Sequence, residues 1–129
     1  MEKPHCVLAV LLLLLAGDAT AVERQPVKTI KPLLLRALDR GEAHGVLIGP
    51  AARLIAKYYQ SDAPIEIDVA VLQPLPDTGC KRLSVTTTQE GVTDFDRDRN
   101  PKAPARRTMT YALNFCRDGS IPDLAERGL

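Results

Sequence analysis

Two apolar stripes at helical spacing come first along this chain, and three runs of alternating apolar and polar residues follow. Ile30, Leu34, Leu35 and Leu38 recur as one face of a helix, with Arg36, Asp39 and Arg40 turned to solvent. Pro32 fits a first turn, where its missing N–H has no helical partner to lose, and Gly41 is a natural stop, so a helix is predicted over 31–40. Val22 to Lys28 ahead of it reads as an extended leader. Gly41-Glu42-Ala43-His44-Gly45 reads as a loop, and Val46-Leu47-Ile48 as a short apolar run ended by Gly49. Pro50 then opens a second helix, Ala51 to Gln60, with Leu54, Ile55 and Tyr58 expected to be buried and Arg53 and Lys57 exposed.

From Ile65 the period falls to two. Ile65, Ile67, Val69 and Val71 alternate with Glu66, Asp68, Ala70 and Leu72, giving a first strand that ends at Pro74. The second strand is expected from Cys80 to Gln89, with Leu83, Val85 and Thr87 inward. The third runs from Thr108 to Cys116, with Met109, Tyr111, Leu113 and Phe115 inward. Between them Asp94 to Arg107 reads as a long polar loop containing Pro101 and Pro104. If Cys80 faces Cys116 in an antiparallel hairpin, opposed positions must sum to 196. Leu83 then meets Leu113, Val85 meets Tyr111, Thr87 meets Met109, and Ser84, Thr86 and Thr88 meet Ala112, Thr110 and Thr108. A slip of one residue would set apolar positions against polar ones, so the pattern and the cysteine pairing support each other.

The first 21 residues change the composition. Lys3, the apolar run Val7 to Ala16 and the small-residue triplet Ala19-Thr20-Ala21 read as a cleaved secretory signal, and Asp18 ends the run too soon for a membrane span. Residues 22–129 are expected to form a single small domain. Removing Glu2, Lys3 and Asp18 leaves 16 Lys+Arg against 14 Asp+Glu, a near balance that disfavours nucleic acid as a partner. Cys6 and His5 leave as well. Cys80 and Cys116 remain, and an exported pair of cysteines is most simply a disulfide.

The candidate chemistry is thin. Cys80, Cys116 and His44 would make an isolated thiol–imidazole set, but neither cysteine opens a predicted helix and the compartment is oxidising. Asp94, Asp96 and Asp98 alternate like the start of a calcium loop, yet Arg99 stands where the loop needs glycine and Ala105 where it needs glutamate. Serine-hydrolase and phosphate-loop motifs are missing, as is a zinc ligand set. No catalytic residue, cofactor or metal site is expected. The residues proposed to bind a partner are Phe95, Arg97, Arg99, Lys102, Arg106 and Arg107, which cluster in and beside the long loop.

Gly79-Cys80-Lys81-Arg82-Leu83-Ser84-Val85 and Leu113-Asn114-Phe115-Cys116-Arg117-Asp118-Gly119 resemble the paired-cysteine strands of small exported proteins from proteobacterial conjugative-transfer and type IV secretion gene clusters. The resemblance implies a periplasmic accessory or structural component. The expected fold is α+β, with two N-terminal helices packed on a three-stranded antiparallel sheet and one disulfide. The expected function is a non-enzymatic, exported accessory that binds another envelope protein through the 91–107 loop or the free edge of the first strand, with no membrane anchor. The alternative is a small periplasmic hydrolase or inhibitor-type protein lacking a recognisable motif.

Overall fold

A computed structural model describes residues 22–77 and 79–122; the signal-like segment and the tail from Asp123 lie outside the described residues. Seven elements follow one another: β1 (Gln25–Val27), α1 (Lys31–Arg40), β2 (Glu42–Leu47), α2 (Pro50–Tyr59), β3 (Glu66–Pro74), β4 (Cys80–Val92) and β5 (Ala105–Cys116). The strands form one sheet in sequential order, β1-β2-β3-β4-β5.

This corrects the expected three-stranded antiparallel sheet. Five strands are present and the sheet is mixed, because β1 runs parallel to β2 while the other pairs are antiparallel. A parallel pair needs a crossover, and α1 supplies it. The leader and the glycine-flanked loop are therefore both strands. β2 looked like a loop because its inward positions, Ala43 and Gly45, are small. They are small because α1 lies on top of them: a Cβ on Gly45 would sit 2.6 Å from Leu33 Cδ1. A further consequence is that β3 sits between β2 and β4, so the first predicted strand has no free edge.

α1 forms where its spacing predicted, with Gly41 left-handed at its C-terminus and its N–H bonded to Ala37 O at 2.8 Å. Leu33, Leu34, Ala37 and Leu38 pack onto Val27, Ala43, Ile67, Val69, Leu83, Val85 and Phe115 to make the core. α2 departs from expectation. It buries no residue fully, and Leu54 and Tyr58 are each 70% exposed. Its half-covered side carries Ala52, Ile55, Ala56 and Tyr59 instead.

The hairpin register matches the sum rule from Cys80–Cys116 through Thr88–Thr108, and the two cysteines are bonded. β4 runs on past Gln89 to Val92 by absorbing one extra residue in a bulge, where Gly91 takes a φ of 66°. β5 likewise begins at Ala105, so Arg106 and Arg107 belong to a strand rather than to the loop. The expected inward face is only partly covered: Leu83, Val85 and Phe115 are buried, whereas Met109 and Tyr111 are 53% and 39% exposed.

Candidate functional site

Because α1 covers the β2–β4 part of the sheet and α2 stands near the loop end of the hairpin, an apolar groove remains between α2 and the β4–β5 strands. It has a volume of about 210 Å³, and its walls include Ile55, Tyr59, Ile65, Val92 and Met109. Polar ties hold α2 in place beside it. Ser61 Oγ donates to Glu90 O at 2.6 Å, Gln89 Nε2 donates to Ser61 O and Ala63 O, and Thr93 N–H donates to Tyr59 O at 3.0 Å. Arg107 closes one side, its guanidinium 4.8 Å from the Tyr59 ring centre and 2.6 Å from Asp94 Oδ1.

The six residues proposed from sequence to bind a partner do not form one patch. Arg107 lines the groove, while Arg106, one strand position away, turns to the other face and pairs with Glu90 at 3.5 Å. Phe95 bridges to Pro101 across the loop and is 47% exposed. Arg97, Arg99 and Lys102 are exposed and make no ion pair among the described residues. The loop is shaped around Asp96, whose Oδ1 accepts the N–H groups of Asp98 and Asn100 at 2.9 and 2.8 Å. Those bonds, the one from Asn100 foremost, hold the Asp96 carboxyl below the usual carboxylate range. A calcium-loop geometry is not what these aspartates build, and no group of three or more His, Cys, Asp or Glu side chains suited to a metal occurs among the described residues.

Sequence reasoning missed a second polar constellation on the face of the sheet opposite α1. His44 Nδ1 lies 2.6 Å from Asp68 Oδ1, and Arg24 reaches Asp68 Oδ1 at 2.9 Å, Glu66 at 3.2 Å and Gly45 O at 3.2 Å. These bonds lace β2 to β3, with Arg24 reaching in from just before β1. Burial pushes the Asp68 carboxyl upward, but the hydrogen bonds from His44 and Arg24 outweigh it and leave the group lowered. Thr86, opposite Asp68 on β4, shares its hydroxyl with Thr110 at 3.0 Å. The partners of the His44 ring among the described residues are Asp68 and, at 3.7 Å, Glu42. The signal of this constellation in the sequence was only the polar alternation Glu66–Asp68, which any solvent-facing strand shows.

The network adjoins a broader depression of about 510 Å³ at the β1 edge, where Arg24 and His44 share the lining with Arg36, Arg40, Glu23 and Glu42. The mixed charge there selects no one ligand sign.

No known protein family, curated protein or solved structure matches the chain. Among the described residues, no helix is long and apolar enough to cross a membrane.

Proposed function

We propose that the protein is an exported, non-enzymatic protein-binding module of the cell envelope, periplasmic or secreted, serving as an accessory of a conjugation or secretion apparatus. The observation that carries this reading is the apolar groove beneath α2, with the Arg107 guanidinium in its wall. An apolar groove with an arginine in its wall suits a partner segment that presents an apolar side chain next to a carboxylate, and the exposed Arg97, Arg99 and Lys102 of the 93–104 loop offer further contacts to an acidic partner. Export is supported by the apolar leader with its small-residue triplet and by the Cys80–Cys116 bond, which persists in an oxidising compartment.

The test is site-specific photo-crosslinking in cells with the reactive group at Ile55. The expected result is one defined adduct with an envelope protein, weakened by Met109→Glu and by the triple change Arg97→Glu, Arg99→Glu, Lys102→Glu, and retained by Arg53→Glu on the outer side of α2. An adduct indifferent to both groove and loop changes, or none at all, overturns the reading.

A further inference from the structure

β5 closes one side of the sheet, and among the described residues no strand lies against its outer edge. The register decides which backbone groups that edge offers. Cys80 and Cys116 lie 4.0 Å apart at Cα, the close spacing of a non-hydrogen-bonded pair. Consistently, the Cys116 N–H turns away from β4 to Ser120 O and its carbonyl accepts from Gly119, whereas Arg117 N–H returns to Gly79 O. By alternation, Arg106, Thr108, Thr110 and Ala112 present their N–H and C=O groups outward, whereas Asn114, of the same parity, is buried.

Natural sheets blunt such edges with proline, charge, a bulge or brevity. β1, at the opposite edge, has three residues and Pro26 in the middle. β5 has twelve residues and no proline, and the bulge of this hairpin puts its extra residue on β4. Its two charged residues, Arg106 and Arg107, lie together at one end and are already paired with Glu90 and Asp94. From Thr108 to Phe115 the strand carries no charge, and Met109 and Tyr111 stand partly bare on the core side.

The geometry points to a second copy of this chain as the occupant of that edge, paired antiparallel to β5 about a two-fold axis through Thr110. In that register opposed positions sum to 220. Thr110 faces its own copy and Thr108 faces Ala112, both at outward-bonding positions. Met109 meets Tyr111 and Arg107 meets Leu113 on the core side. The threonine hydroxyl bond between Thr86 and Thr110 extends into a row across the axis, and each exposed Met109 is covered by the other copy's Tyr111. Charge selects the arrangement: antiparallel pairing sends the two arginine ends to opposite sides of the axis, whereas sliding the strands toward their arginine ends would bring Arg106 against Arg106. The contact is isologous, so it closes at two copies. It shares Met109 with the groove beneath α2 but is made by the outward backbone groups of β5.

Sedimentation of the exported, oxidised protein over a range of concentrations tests the pairing. Wild type is expected to be a dimer at high concentration. T108K/A112K, which opposes like charges in this register, is expected to weaken association by roughly tenfold or more. T108K/A112E, which opposes unlike charges, is expected to associate like wild type. Hydrogen exchange needs no variant: the Thr108, Thr110 and Ala112 amides should be protected at high concentration and exchange freely on dilution. A wild-type monomer with fast exchange at those amides throughout overturns the inference. So does a dimer that both double variants leave intact or that both abolish, and so does an edge occupied instead by a strand of a different protein.

Discussion

Gly45 and Asp68 are the two residues on which the β2 side of the sheet turns, and they act through different physics. At Gly45 the constraint is space. Leu33 is fully buried and its methyls fill the volume a side chain on Gly45 would take, with Gln25 O a further 3.0 Å neighbour. Gly45→Ala is therefore expected to destabilise by about 1–3 kcal/mol, the usual range for overpacking, read as a lowered urea midpoint with an unchanged m-value. At Asp68 the constraint is charge. Its carboxyl is held lower in the folded chain than in the unfolded one, so its contribution is present above the ordinary carboxylate range and is lost as pH falls through the lowered value. Below about pH 4, wild-type stability should fall more steeply than that of Asp68→Asn, which should already be less stable at neutral pH. Parallel slopes in urea titrations from pH 7 to pH 3 would refute that role. Neither residue was legible as important in the sequence. His44 and Asp68 lie 24 positions apart, and only the β2–β3 register, itself hidden by the small inward residues, brings them together.

Two helices of equal length and similar amphipathic spacing have opposite fates at the level of elements. α1 spans the middle of the sheet, and its leucines are the core; α2 is tied at its C-terminal end by Ser61 and Thr93 and leaves Leu54 and Tyr58 in solvent. Leu34→Ala is thus expected to cost about 2–5 kcal/mol and Leu54→Ala no more than about 0.5 kcal/mol, compared by chemical denaturation. Equal losses would mean that α2 packs where these contacts do not put it. The periodicity located both helices to within a residue or two, because spacing reports which positions share a face. It does not report how much sheet there is to cover that face. The β4–β5 hairpin was the most legible element, since two cysteines and a strict alternation specify one register. β1 was illegible because Gln25–Val27 is too short to show any period.

For the whole molecule the Cys80–Cys116 bond closes a span of 36 positions, worth about 4 kcal/mol by loop-closure entropy if the reduced unfolded chain is unstructured. That is a large fraction of the roughly 5–15 kcal/mol that holds a domain folded. Reductant is expected to lower the thermal midpoint of the protein by many degrees, and an unchanged midpoint would show that the sheet holds without its staple. The bond also sits at the far end of the hairpin from the 93–104 loop, which makes the tip separable from the fold's covalent continuity. A protease that cuts between Arg97 and Lys102 would release nothing. The nicked protein would run as one species on a non-reducing gel and as two pieces after reduction, with β5 still in the sheet until the disulfide is broken. The loop can therefore be cut, lengthened or exchanged while the strand beside it stays in place, so the tip is free to vary independently of the framework that displays it.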